Sequence, residues 1–281
     1  MSVAYFIMAH HKPSMLLRMM NAIYSEENIY LIHIDSRADD EMLDLARNLQ
    51  SSNDNIHLLP SRFLNWGGWS LVQAELDAIR VLLNWSRKWT HLINLSGQDF
   101  PLVKQDLILS FLNDNKERNF ILAKPTDPAM MKGLQGAFVI EDAKKYQRLG
   151  EREPFESYFT ENIRQYSGSQ WKMITRSFAE YAVDSYLSYE MQDYYRYSFT
   201  PDEYFFPTLI QNSPFSETVV PNIKRFIRME AGEHSKNHAT LLTIDDLGSL
   251  FSNDTFFARK FDDEVDSKII DAIEEMLALR P

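Results

Sequence analysis

The chain has 281 residues, 44% apolar and 25% charged, a balance that excludes disordered, collagen-like and coiled-coil proteins. Its 40 acidic and 29 basic residues leave a formal charge of −11. Such a chain does not wrap nucleic acid, and an anionic partner needs a local basic pocket. Cysteine is absent, which removes disulfides, thiolate nucleophiles and cysteine-based zinc sites and suits a reducing cytoplasm.

The apolar opening up to Met8 is too short to span a bilayer and lacks a signal peptide's basic start and small-residue cleavage site. A strand over Val3–Met8 and a soluble, unexported protein are expected. A helix follows over Ser14–Tyr24, a strand over Asn28–Ile34, a helix over Asp40–Gln50 and a short strand over Ile56–Leu59. Ser70–Trp85 reads as a long helix and His91–Leu95 as a buried strand. This alternation predicts an α/β domain with a mostly parallel central sheet, whose ligands bind beyond the carboxyl ends of the strands. Asp35 and Asp99 fall at such ends. Residues 126–169 read as loops forming a binding wall. Helices are expected over Arg176–Leu187, Asp202–Gln211 and, amphipathic, Val265–Leu279. One domain is expected, with no repeats.

Several segments carry residues suited to chemistry, each with a plainer alternative. His10-His11 after the first strand either line a ligand pocket or are satisfied loop histidines. In Asn65-Trp66-Gly67-Gly68-Trp69-Ser70 the paired glycines allow positive φ or a close backbone approach. Ser70 with Gln73 fits a capping box, and a helix start behind a glycine turn can receive an anion. The alternative is a tight turn with Trp66 and Trp69 in the core. Asp99, in Ser96-Gly97-Gln98-Asp99-Phe100-Pro101, is either a turn residue or a ligand contact. It is a single aspartate where manganese-dependent nucleotide-sugar transferases usually carry a D-x-D pair. Thr200-Pro201-Asp202-Glu203 reads as a capped helix start. The sharper reading makes Glu203 a general base with a pKa raised by aromatic neighbours. Arg259-Lys260 among phenylalanines is a surface loop with snorkelling stems or a cationic clamp on a leaving diphosphate. The seven histidines show no zinc spacing, and no dinucleotide fingerprint, Walker sequence or nucleophile elbow occurs.

In order, Ala9-His10-His11-Lys12, Ile32-His33-Ile34-Asp35-Ser36-Arg37, Trp66-Gly67-Gly68-Trp69-Ser70, Ser96-Gly97-Gln98-Asp99-Phe100-Pro101-Leu102, Pro201-Asp202-Glu203 and Phe257-Ala258-Arg259-Lys260-Phe261-Asp262 resemble the core-2/I-branching enzyme family. Its members include N-acetylglucosaminyltransferases and peptide xylosyltransferases. The likeness runs from about residue 3 to 265, and the S-G-x-D-F-P-L and P-D-E blocks are its most specific parts. It implies a single GT-A domain over 1–281, with a nucleotide-sugar half to about residue 125 and an acceptor-binding and catalytic half beyond. It also implies inverting transfer from a UDP-sugar without a divalent metal or other cofactor. Glu203 is the implied base. His10, Asp35, Arg37, Trp66, Gly67, Gly68, Asp99, Arg259 and Lys260 are the implied nucleotide-sugar contacts, with Lys260 on the diphosphate. Gln98, Ser169, Gln170, Trp171 and Asp202 are the implied lining of the acceptor or sugar cleft. The family's second diphosphate-gripping arginine falls on Asn237, leaving Lys236, His238 or Arg259 to supply that charge.

The implied partners are a UDP-sugar and a glycan, lipid-linked or glycoconjugate acceptor. The expected place of action is the cytoplasm, peripheral to the inner membrane face where the acceptor is lipid-linked, as in polysaccharide biosynthesis. The residues alone leave open a carbohydrate-binding module, a glycoside hydrolase using Asp99 and Glu203, and a metal-dependent transferase with Asp99 or Asp35 as ligand.

Overall fold

The computed structural model describes residues 2–127, 135–139, 147–159, 162–229, 239–251 and 254–279. The chain begins with β1 (Ser2–Ala9), α1 (Pro13–Ile23), β2 (Ile29–Ile34), α2 (Asp40–Ser52), β3 (Ile56–Leu59), α3 (Trp69–Trp85), β4 (Trp89–Ser96), β5 (Asp99–Pro101), α4 (Gln105–Asp114) and β6 (Asn119–Pro125). It continues through β7 (Gly136–Val139), β8 (Gln147–Glu151), α5 (Phe155–Tyr158), β9 (Tyr166–Thr175), α6 (Arg176–Asp184), α7 (Tyr186–Tyr195) and α8 (Phe205–Gln211). Last come β10 (Val219–Val220), β11 (Arg225–Ile227), α9 (Leu247–Leu250), β12 (Phe257–Arg259) and α10 (Lys268–Leu279). The expected α/β class is what the structure has. Two compact units share the chain: Met1–Ser61, Asn94–Lys116 and Lys224–Pro281 form one, Arg62–Ile93 and Glu117–Ile223 the other. Their segments alternate along the chain.

In the first unit β1, β2 and β3 run parallel, with Ala4 opposite Ile29 and Tyr30 opposite Ile56. Every residue of β1 and β2 is buried, the continuous run typical of a parallel sheet covered on both faces. Pro13 starts α1, where its missing N–H costs nothing. Met15, Leu16, Met19, Met20 and Ile23 form its buried stripe. Asp39 caps α2 by accepting from Met42 N. A second, three-stranded sheet has the order β11-β12-β5 and sets Arg259 opposite Asp99.

In the second unit the strand order is β10-β6-β9-β4. β9 runs antiparallel to both β4 and β6, a reversal that β/α alternation does not foretell. Between β6 and β9 the register jumps. Ile121 faces Lys172 and Ala123 faces Gly168, so Ser169, Gln170 and Trp171 oppose Leu122 alone. This bulge re-aims the strand, and it is built from the sequence expected to line a cleft.

Other elements depart from expectation in detail. The helix expected over Asp202–Gln211 is a 3-10 turn, Pro201–Glu203, followed by α8. Arg176–Leu187 is broken at Ser185, whose hydroxyl caps α7. α10 begins at Lys268 rather than Val265. Gly68, not Ser70, is the N-cap of α3, and no side chain caps it. The Ser70 hydroxyl instead accepts from Asn65 N, and Gln73 is engaged with Trp69 and Asp77. No helix among the described residues is long and apolar enough to cross a membrane.

The bulge depends on Gly168. A Cβ there would lie 1.8 Å from the Leu122 carbonyl oxygen, a backbone atom that cannot step aside. Gly168→Ala is therefore expected to lose about 1–3 kcal/mol or more, read as a lower urea midpoint. An unchanged midpoint would show that the backbone at Leu122 yields freely.

Candidate active site

In the first unit several functional side chains come together at the carboxyl ends of the strands. The Asp35 N–H donates to Ala9 O and the Gly97 N–H to Met8 O, which ties the exits of β1, β2 and β4 together. Asp35 is 3% exposed. It accepts from the Arg37 backbone N–H at 2.9 Å and from Arg37 Nε and Nη2 at 2.8 and 2.7 Å. The bidentate pair fixes a guanidinium at the mouth. The His10 and His11 rings stack with centroids 4.0 Å apart. His10 is exposed as a residue, yet loss of water around its ring, followed by His11, Lys260 and Arg37, pushes its pKa down to about 4 against the opposing pull of Asp35. It is neutral at physiological pH.

Asp99 anchors the cationic side of the mouth. It is fully buried, and its Oδ2 accepts from Ser96 N at 2.6 Å. Arg259 Nε lies 3.2 Å from Oδ1 and Arg225 Nη2 lies 3.9 Å from Oδ2. Arg225 also donates to Asn94 O at 2.8 Å. Burial brings the Arg225 pKa down to about 10 and lowers that of Arg259, with Asp99 opposing both shifts. Lys260 is lowered too, by burial and by Arg259. Buried Gln98 donates from Nε2 to Phe261 O and accepts Phe261 N–H at its own carbonyl, clamping the chain just after Lys260. Gln98 and Asp99, both expected to meet ligand, are thus engaged in holding Arg259 and Lys260. Arg225 escaped the sequence reading. In the sequence it is one of three cations in Lys224-Arg225-Phe226-Ile227-Arg228, with nothing local to single it out.

The second unit carries a carboxylate cluster. Thr200 sits in the left-handed region, φ 47°, which costs a β-branched residue of order 1–3 kcal/mol. Its N–H donates to Gly67 O at 2.9 Å and its carbonyl accepts from Glu203 N at 3.1 Å. Gly67 itself has φ 74°, and a Cβ there would meet the Phe199 ring at 3.0 Å. The Trp66–Gly68 turn and the Pro201–Glu203 turn therefore lock each other. Trp66 is 63% exposed and edge-on to Phe199 at 5.6 Å.

Glu203 is exposed, with its pKa raised by partial desolvation. Its neighbour Asp202 is pushed up to about 7, chiefly by burial and then by Glu203, with Lys172 pulling the other way. Asp202 Oδ1 is buried without a hydrogen-bond partner among the described residues. Lys172 and Glu75 form a buried ion pair at 2.9 Å. Lys172 Nζ also donates to Gln170 O at 2.7 Å and lies 4.0 Å from the Phe206 ring centroid. Burial raises the Glu75 pKa against the pull of Lys172. One ammonium thus braces the Ser169–Trp171 bulge and offsets two carboxyl groups. Ser169 and Gln170 are partly exposed on the bulge, while Trp171 is buried. Glu75 and Lys172 were not anticipated, because 97 positions separate them and only the fold pairs them.

Lys236, Asn237 and His238 lie outside the described residues. Among the described residues no group of three or more His, Asp or Glu side chains is arranged to hold a metal ion.

The family model Core-2/I-Branching enzyme matches residues 3–251. The chain belongs to this family. Among curated relatives, Xylosyltransferase 2 of Canis lupus familiaris and of Homo sapiens is 30% identical to it over 299 residues, covering 97% of this chain and 33% of the relative. Xylosyltransferase 1 of Canis lupus familiaris is 31% identical, covering 98% of this chain and 30% of the relative. The chain thus spans about a third of the length of the curated relatives it matches. Among solved structures, a 4-diphosphocytidyl-2C-methyl-D-erythritolsynthase from Anaerococcus prevotii is 13% identical with a TM-score of 0.35, covering 66% of this chain and 75% of that one.

The Asp202 shift makes a stability prediction for this member of the Core-2/I-Branching family. An aspartate near 3.8 when unfolded and about 7 when folded binds more protons in the native state between those values, so stability falls as pH rises through that window. Asp202→Asn removes this loss. The variant's urea midpoint is expected to gain on the parent's steadily between about pH 4 and about pH 8. A difference that does not vary with pH would contradict the shift.

Proposed function

We propose that this chain is an inverting glycosyltransferase of GT-A type. It moves a sugar from a UDP-sugar to a hydroxyl of a glycan or glycoconjugate acceptor, with Glu203 as general base. Membership of the Core-2/I-Branching family and the xylosyltransferase relatives support glycosyl transfer. The observation that carries the finer reading is the cationic end of β12. In a chain of net charge −11, Arg225, Arg259 and Lys260 gather around one buried carboxylate, Asp99. An excess of fixed positive charge at a strand mouth is what a departing diphosphate requires.

In this mechanism the acceptor oxygen attacks the anomeric carbon from the face opposite UDP while Glu203 takes its proton. The bond from the anomeric carbon to the β-phosphate oxygen breaks, and the electron pair leaves with UDP. One displacement inverts the configuration. Charge growing on the β-phosphate is met by Lys260 and Arg259 rather than by a divalent cation. Asp35 and its paired Arg37 contact the nucleotide, and neutral His10 offers it a hydrogen bond without a competing charge. Desolvation of Glu203 brings its pKa nearer to working pH, where a base is most effective. The relatives' names make a xylosyl donor the first to assay. The reaction is assigned to the cytoplasm, and a lipid-linked acceptor would bring the protein to the inner membrane face.

The paired-carboxylate hydrolase reading is disfavoured by the state of Asp99. Fully buried, with one oxygen on Ser96 N and both facing guanidinium groups, it is not available as a nucleophile or as a base for water.

Glu203→Gln is expected to retain UDP affinity and to lose about 10²–10⁴-fold in transfer rate, checked by calorimetry and by UDP release in the presence of acceptor. Near-normal turnover would remove Glu203 from the mechanism.

A further inference from the structure

The second unit contains a cavity of about 430 Å³ that this mechanism does not use. Its wall is made by the turn leading into α3, by Phe138 and Val139 of β7, and by Arg196–Ser198 after α7. The size falls within the range of small-molecule sites. The lining mixes aromatic side chains, among them Phe63, Trp69 and Tyr197, with the amides and hydroxyl of Asn65, Gln73 and Ser70. Flat apolar faces beside amides and hydroxyls suit a pyranose ring, which presents C–H groups on one side and hydroxyls around its edge. Trp66, in the same turn, is itself exposed.

The charge is more specific. Among the described residues no acidic side chain lines the cavity, but Arg62 and Arg196 do, in a protein carrying −11. Arg62 is paired with Asp77 at 2.6 Å, but Asp77 is shared with Arg80 at 3.3 Å and with Gln73 at 2.9 Å. That group keeps a positive excess. Arg196 is exposed, at the C-terminus of α7, and makes no ion pair among the described residues. Beside it Ser198 is 2% exposed, and its hydroxyl has no hydrogen-bond partner among the described residues. A buried hydroxyl without a partner is costly unless a ligand or water supplies one. The cavity also communicates with the base: Gly67 O, in the turn that forms its wall, accepts from Thr200 N, and Thr200 O accepts from Glu203 N.

We propose that this cavity binds a carboxylate-bearing sugar, a uronate unit, of the acceptor, with the Arg196 guanidinium gripping the carboxylate and the aromatic side chains flanking the ring. Arg196 thereby selects acidic over neutral acceptors. The assignment to an acceptor rests on the reading of Glu203 as base. Binding of the sugar itself does not.

The test measures equilibrium binding by calorimetry for a disaccharide ending in glucuronate, its counterpart ending in glucose, a short glutamate-containing peptide and UDP. Each is titrated into the parent chain, Arg196→Gln and Arg196→Lys. The glucuronate disaccharide is expected to bind the parent roughly ten- to a hundred-fold more tightly than the glucose one, the span of a charged hydrogen bond. Arg196→Gln is expected to abolish that preference and Arg196→Lys to restore part of it. Equal affinity for the two disaccharides overturns the proposal, as does binding of the peptide in their place. Loss of UDP affinity in Arg196→Gln also overturns it, by giving the cavity to the nucleotide. UDP failing to bind the parent, with the glucuronate preference intact, defeats the transferase reading and leaves the saccharide site standing.

Discussion

Asp99 has no access to water, and the electrostatics of the first unit are organised around it. A carboxylate so placed is tolerable only with compensating charge. Arg259 and Arg225 supply the charge, and Ser96 N supplies a hydrogen bond. The dependence is mutual, since the two guanidinium groups are themselves buried and would be costly without the carboxylate. Because Arg259 is the antiparallel partner of Asp99 across β12 and β5, the same pairing fixes the exit of β12 and hence where Lys260 stands. Gln98 tightens that exit by bonding Phe261 through both its side chain and its carbonyl. An aspartate that resembles a ligand in sequence is in the fold the counter-ion that positions two cations and, through the strand, a third.

The second unit repeats this logic with the signs reversed. Lys172 is the buried cation, and Glu75, Asp202 and the Gln170 carbonyl depend on it. It holds open a bulge that Gly168 alone permits, and the bulge carries Ser169 and Gln170 to partly exposed positions. Strain stored at Thr200 is held by its bond to Gly67. Glu203 thus stands on a turn locked from two directions, which suits a group that must meet a hydroxyl in one orientation.

Much of this was legible in the sequence. Fully buried β1 and β2 announce themselves as predominantly apolar runs, and Asp35 at a strand exit follows from the α/β pattern. The Trp66–Gly68 turn was marked by its paired glycines. What stayed hidden depends on partners distant in the chain. Arg225 meets Asp99, and Lys172 meets Glu75 across 97 positions, and no local periodicity records such pairs. The capping box at Ser70 failed because the hydroxyl found a better use on Asn65 N. The antiparallel β9 was missed because its first half is only half-buried, so it lacks the apolar run that marks β1.

The most direct test of the proposed chemistry is calorimetric titration of UDP into the chain in EDTA, with GDP and CMP as controls, repeated after adding manganese. The account predicts selective UDP binding in EDTA and no appreciable gain from manganese, because Arg259 and Lys260 supply the charge that the diphosphate needs. Binding that appears only with manganese would contradict the cationic account of the leaving group, and no UDP binding under either condition would contradict the transferase itself.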